Sequence, residues 1–131
     1  MNNTVFRLGE LFSGPGGIAL GASWASAENA TESFSIKHAW ARDYDAGTCE
    51  TYRNNLCPND RKSVVHQDVR ELEMASLMKI SDIDALAFGF PCNDFSVVGE
   101  QEGTDGVFGP LYSYGINVLK YFQPKWFLAD M

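Results

Sequence analysis

Five residues in a row, Ser13-Gly14-Pro15-Gly16-Gly17, separate an apolar run of strand length, Val5 to Phe12, from a small-residue segment with helical spacing, Ile18 to about Ala27. Neither a strand nor a helix interior tolerates such a stretch, so the chain must turn sharply there. A strand that breaks directly into a helix is the opening of a βαβ unit, and the rest of the chain repeats the alternation. After a polar turn from Ala27 to Glu32, Phe34 to Ala41 reads as a second strand ending at Arg42-Asp43. Asp45 then caps a helix that runs to about Leu56 and is stopped by Cys57-Pro58-Asn59-Asp60. Ser63 to His66 is a short third strand ending at Asp68, followed by a helix over Glu71 to Ile80 that spaces Leu72, Ala75 and Met78 or Lys79 on one side. Asp84 to Phe90 is the fourth strand, Leu111 to Phe122 a helix, and Lys125 to Ala129 the fifth strand.

Between Pro91 and Pro110 the glycines and prolines are too frequent for a regular element and the stretch is too long for an ordinary connection. A loop of that kind inside a domain points to a lid or a binding loop. Five strands joined by crossover helices predict an α/β fold, an open parallel sheet of about five strands with helices on both faces. Ligands of such sheets sit outside the carboxyl ends of the strands, where the strand order reverses.

At 131 residues, 45% hydrophobic and 13% aromatic, the chain is expected to form one globular domain over residues 1–131. No apolar run reaches the roughly 20 residues of a membrane span, and the N-terminus lacks a signal-like pattern. Cys49, Cys57 and Cys92 form an odd set without CxxC spacing, so neither a disulfide framework nor a metal site is expected, and a reducing cytoplasm fits. The formal net charge is −7, with no cluster of Lys and Arg. A nucleic acid could then be gripped mostly by another segment or partner.

The strand ends carry the chemistry. Gly14, Gly16 and Gly17 allow the backbone and the N-terminus of the next helix to approach a ligand closely. Gly14-Pro15-Gly16-Gly17-Ile18-Ala19 also satisfies the dinucleotide fingerprint, with the acid Asp43 following Ala19 by 24 positions, so a nicotinamide oxidoreductase is one reading. Asp43 would bind ribose hydroxyls and Tyr44 would lie on an adenine face, although Asp43 or Asp45 also reads as a simple helix cap. Cys92 follows the fourth strand at the entrance to the long loop, the place of a reactive thiol rather than a small buried hydrophobe. His38 and His66 read as satisfied strand residues.

Phe12-Ser13-Gly14-Pro15-Gly16-Gly17 with Gly21, then Asp43-Tyr44-Asp45, then Asp68, then Gly89-Phe90-Pro91-Cys92-Asn93-Asp94-Phe95-Ser96 resemble, in order and spacing, the first four motifs of the cytosine-C5 DNA methyltransferases. Gly109-Pro110-Leu111-Tyr112 is similar to the next motif, and the resemblance covers nearly the whole chain. It implies a Rossmann-like S-adenosylmethionine-dependent methyltransferase fold. It further implies that Phe12, Ser13, Gly14, Pro15, Gly16 and Gly17 hold the methionine part of the cofactor, Asp43 its ribose and Tyr44 its adenine. Asp68 and Val69 would meet the adenine amino edge, with Pro91 and Leu111 bordering the pocket. Cys92 would be the nucleophile that attacks C6 of a cytosine flipped out of the duplex.

The chain departs from the family pattern in three places. Asn93 stands where Gln is common. Asp130 stands where the family has the Glu that engages the cytosine N3 edge, one methylene longer. The arginine-bearing motif, the target-recognition domain and the final helix have no counterpart here. The resemblance therefore implies a fragment or one subunit, inactive alone, that meets DNA mostly through a complementing methyltransferase part, in a bacterial or phage-like setting. Methylation of cytosine in RNA and a non-catalytic cofactor-binding or assembly remnant are the alternatives.

Overall fold

The computed structural model of the chain describes residues 2–73, 76–77, 82–90 and 111–130. Its elements are β1 (Asn2–Leu11), α1 (Gly17–Trp24), β2 (Ser26–Glu28), β3 (Glu32–Asp43), α2 (Ala46–Leu56), β4 (Val64–His66), β5 (Ala85–Gly89), α3 (Tyr112–Phe122) and β6 (Trp126–Asp130). The strands form one sheet in the order β2-β3-β1-β5-β6, with β4 also paired to β3. From β1 the chain moves outward to β3 and β4, then returns to the other side of β1 for β5 and β6. The order reverses between β1 and β5, which is where an open α/β sheet leaves a crevice at its carboxyl edge.

Helices cover both faces, and strand alternation decides which side chain goes where. Leu8, Ala85 and Ala87 meet Ile18 and Ala22 of α1 on one face, beside a second cluster in which Ala19, Ala41, Cys49, Tyr52 and Val64 join α1 to α2. On the other face Leu11, Trp40, Leu86 and Phe88 form the main core with Val118, Leu119 and Phe122 of α3. Gly115 permits this contact, since a Cβ there would stand 2.4 Å from the Phe88 ring. Arg53 ties the end of α2 to β4 by donating from Nε and Nη2 to the Val64 carbonyl at 3.2 and 2.7 Å.

The expected open sheet with helices on both faces is present, with two differences of detail. The first helix ends at Trp24 rather than Ala27, and Ser26–Glu28 pairs antiparallel with Ser33–Ser35, so the sheet is mixed and has six strands among the described residues. The cause is Asn29, whose Oδ1 accepts the Thr31 and Glu32 amides at 2.9 and 2.8 Å and folds the chain back on itself. The predicted helix over 71–80 begins instead as a 3-10 turn, Val69–Glu71, capped by Asp68, after which Leu72 is extended and packs against the main core. Ser76 and Leu77 are helical, and the rest of that span, like the predicted loop from Pro91 to Pro110, lies outside the described residues. Among the described residues no helix is long and apolar enough to cross a membrane.

Candidate functional site

Because β1, β3, β5 and β6 run parallel, their carboxyl ends, Leu11, Asp43, Gly89 and Asp130, share one edge of the sheet. The turn that leaves β1 is built from left-handed residues: Phe12 at φ 55°, Gly14 at 56° and Gly16 at 105°. Gly16 caps α1, and a Cβ there would stand 2.5 Å from Leu56 Cδ1 and 3.0 Å from the Tyr52 ring. Among the described residues nothing stands within 4 Å of a Cβ placed on Gly14 or Gly17, so they leave the outer side of the turn open. Ser13 is buried and donates its amide to the Arg42 carbonyl at 3.2 Å, while Pro15 is exposed.

Asp43 closes this edge. Its Oδ2 accepts the Gly14 amide at 2.8 Å, and its Oδ1 accepts the Asp45 amide at 2.9 Å and the Thr48 hydroxyl at 3.3 Å. One carboxylate thus holds the glycine turn to the start of α2, while Asp45 caps that helix through the Thr48 amide at 2.8 Å. Asp45 therefore makes the side-chain cap of α2, and Asp43 bridges the glycine turn to it. Tyr44 is 71% exposed, its carbonyl held by His66 Nε2 at 2.8 Å, so its ring stands at the mouth of the edge with the backbone fixed beneath it.

The other expected residues are distributed less evenly. Asp68 caps the turn after β4, and its carboxylate is engaged by the Arg70 guanidinium, which holds its pKa down at about 2. The Val69 side chain is buried in the main core, and Leu111 is half-buried against the same core at the start of α3. Asp130 is exposed and faces Gly89 in register, next to the end of β5. Pro91 and Cys92 lie outside the described residues; Phe90, just before them, packs against Phe88 and Tyr112.

Sequence reading missed Glu10. It is 1% exposed, and Tyr52 Oη lies 2.8 Å from its Oε1. Tyr52 Oη lies in turn 2.9 Å from His38 Nδ1, and His38 Nε2 is 2.7 Å from Ser63 Oγ. Burial raises the Glu10 carboxyl from an ordinary value to about 7 and lowers His38 to about 4. A signal was present in the sequence: an acid between Gly9 and Leu11, inside a strand covered on both faces, requires a buried partner.

A mostly parallel sheet reversing between β1 and β5, with a glycine turn, an acid and an exposed aromatic at the carboxyl edge, defines a Rossmann-like fold with a ligand crevice. Two solved structures share this fold: the S. pombe Dnmt2 methyltransferase, with a TM-score of 0.54 and 20% identity over 90% of this chain and 31% of that one, and a Spodoptera frugiperda DNMT2 mutant, with a TM-score of 0.57 and 20% identity over 87% and 31%. The family described as C-5 cytosine-specific DNA methylase matches residues 6–130, and the chain belongs to that family. Among curated relatives, the Type II methyltransferase M.BbvI of Brevibacillus brevis is 53% identical over 128 residues, which are 95% of this chain and 34% of the relative. The Type II methyltransferase M.NgoFVII of Neisseria gonorrhoeae is 32% identical over 120 residues, 92% of this chain and 28% of the relative. The chain spans about a third, or less, of the length of these relatives.

Proposed function

We propose that the chain is the cofactor-binding and nucleophile-bearing part of an enzyme that methylates C5 of cytosine in DNA, working with a complementing part that grips and reads the duplex. The observation that carries this reading is the bond from Gly14 N–H to Asp43, which sets an open glycine turn, a carboxylate and an exposed aromatic ring side by side at the reversal point of the sheet. S-adenosylmethionine, when bound, supplies an electrophilic methyl on sulfonium for C5. The open side of Gly14 and Gly17, with the amides at the start of α1 behind it, suits the polar amino-acid end of that cofactor. Among the described residues, partners take three of the four lone-pair directions of Asp43, which leaves one for a ribose hydroxyl. Tyr44 offers its ring to adenine, and Asp68 with Val69 would border the base.

Cys92, as thiolate, adds to C6 of a cytosine turned out of the helix, forming a C–S bond and making C5 electron-rich. Asp130 assists by hydrogen bonding or protonating the N3 edge as the thiolate adds. Loss of the C5 proton then expels Cys92 and restores the ring. The net charge of −7 supports assigning the phosphate-gripping surface to the complementing part, and the cysteine pattern supports a cytoplasmic setting.

Calorimetric titration of the chain with S-adenosylhomocysteine, with NADH as control, tests the cofactor half of the reading. Heat with the first ligand alone supports it; heat with NADH alone overturns it. A 5-fluorocytosine duplex presented with the complementing part tests the other half. A covalent band that disappears in Cys92→Ala is expected, and a band that persists in that variant overturns the assigned nucleophile.

A further inference from the structure

We infer that Glu10, Tyr52, His38 and Ser63 form one buried hydrogen-bond chain with two proton arrangements of opposite direction, switched by a single proton on Glu10 and open to water at the cleft beside Asp60. The spacing is continuous: 2.8 Å from Glu10 to Tyr52, 2.9 Å to His38, 2.7 Å to Ser63, and 2.7 Å from Ser63 Oγ to the Asp60 carbonyl. Tyr52 and Ser63 each have one hydroxyl hydrogen, and a neutral imidazole has one N–H, so the directions are coupled.

With Glu10 protonated on Oε1, the carboxyl donates to Tyr52, Tyr52 to His38 Nδ1, His38 Nε2–H to Ser63, and Ser63 to the Asp60 carbonyl. With Glu10 ionised, Tyr52 donates to the carboxylate, His38 Nδ1–H to Tyr52, and Ser63 to His38 Nε2. The second arrangement has one proton fewer, released to water. The Asp60 carbonyl remains satisfied because it also accepts the Ser63 amide at 3.1 Å. An intermediate mixture sets two donors or two lone pairs face to face, so the chain reverses as a unit.

A local feature brings these groups together. The register of β1 against β3 slips between Leu8, opposite His38, and Gly9, opposite Trp40. This bulge lets His38 reach Tyr52 on the same side as Ala41, three residues later, which a regular strand would not allow. The far end of the chain opens at a cleft of about 530 Å³ lined by His38, Cys57 and Asp60 together with Ala19 and Lys37. Its near end lies under the glycine turn, where the Tyr52 ring fills the space that a side chain on Gly16 would occupy.

The surroundings leave Glu10 as the group that titrates near neutrality. Its register neighbours are Ala41 and Ala87, and α1 contributes Ala19 to the cluster around Tyr52. The other ionisable groups facing the chain are Cys49 and Cys57, whose thiols burial holds up, Arg42 of β3, and Lys37 and Asp60 at the cleft. Burial keeps His38 neutral in both arrangements.

The buried chain lies beneath the turn whichever ligand the turn holds, and its protons can be read directly. The 15N shifts of the His38 ring in the full chain, followed from about pH 5.5 to about pH 8.5, distinguish the Nε2–H from the Nδ1–H tautomer. The expected result is a change from Nε2–H to Nδ1–H with the same midpoint as the 13C shift of the Glu10 carboxyl. In Glu10→Gln the group facing Tyr52 no longer titrates, so a single His38 tautomer should persist across the range. In Tyr52→Phe the carboxyl should still titrate while the His38 tautomer no longer follows it. A single His38 tautomer across the range in the unsubstituted chain overturns the inference, as does a switch that survives in either variant. If Glu10→Gln does not fold, the unsubstituted chain and Tyr52→Phe decide between the outcomes.

Discussion

The carboxylate of Asp43 accepts the Gly14 amide at 2.8 Å, across 29 residues of sequence, and so makes the turn after β1 and the start of α2 one rigid unit. Removing it should loosen the cofactor side of the site more than the fold as a whole. Asp43→Ala is expected to weaken S-adenosylhomocysteine binding roughly ten-fold to a hundred-fold, the scale of a lost hydrogen bond to a charged group, about 1.5–3 kcal/mol. Titration calorimetry checks the affinity, and circular dichroism checks that the fold persists.

Gly16 and Gly17 should respond in opposite ways to the same added methyl group. Gly16→Ala forces a left-handed φ of 105° on a residue with a Cβ and drives that atom to 2.5 Å from Leu56, at a cost of about 2 kcal/mol or more. Gly17→Ala meets nothing within 4 Å among the described residues and begins a helix, so stability should hold or rise by up to about 1 kcal/mol. The methyl on Gly17 would instead occupy the open side of the turn and reduce cofactor affinity. Urea unfolding and calorimetry on both variants separate the two effects.

Glu10 and His38 act on stability with opposite signs. The folded pKa of Glu10, about 7, lies above its ordinary 4.5, so its favourable contribution is complete below about pH 4.5 and is lost as pH rises to about 7. That of His38, about 4, lies below its ordinary 6.5, so its contribution is complete above about pH 6.5 and is lost as pH falls to about 4. Between pH 4.5 and 6.5 the two slopes cancel in the unsubstituted protein. Glu10→Gln should expose the His38 slope alone. Its stability should climb from pH 4 to 6.5, and between pH 4.5 and 7 it should gain on the unsubstituted chain by roughly 3 kcal/mol, at about 1.4 kcal/mol per pKa unit. Chemical denaturation at a series of pH values checks this.

Asp130 should matter for rate rather than for folding, since it is exposed at the end of β6. In the complemented enzyme Asp130→Ala is expected to lower the methylation rate by on the order of 10²–10⁴, the usual reach of general acid–base assistance, while Asp130→Glu retains activity. Single-turnover transfer of a labelled methyl group measures both.

Legibility followed the range of each interaction. Asp45 was readable as a cap because the amide it accepts, that of Thr48, is three residues away. The stop at Cys57-Pro58 and the α3 span from Tyr112 were readable for the same reason: turn chemistry and helical spacing are written in neighbouring residues. The spacing of Leu72, Ala75 and Met78 predicted a helix from Glu71, yet Glu71 ends a 3-10 turn and Leu72 is extended and packs against the core. The edge strand β2 was not readable, since Ser26-Ala27-Glu28 has little strand character of its own and pairs only because Asn29 folds it back on β3.

From sequence alone came the five parallel strands in their chain order, the sharp break after β1, and the set of residues at the strand ends, all encoded by periodicity and punctuation within a few positions. Tertiary structure alone decided the strand order about β1, the bulge between Leu8 and Gly9, the bond from Gly14 to Asp43, and the burial of Glu10 against Tyr52, 42 residues away. Those relationships depend on register and on which faces close over one another. A buried acid or a shared hydrogen bond exists only once distant segments have excluded water together.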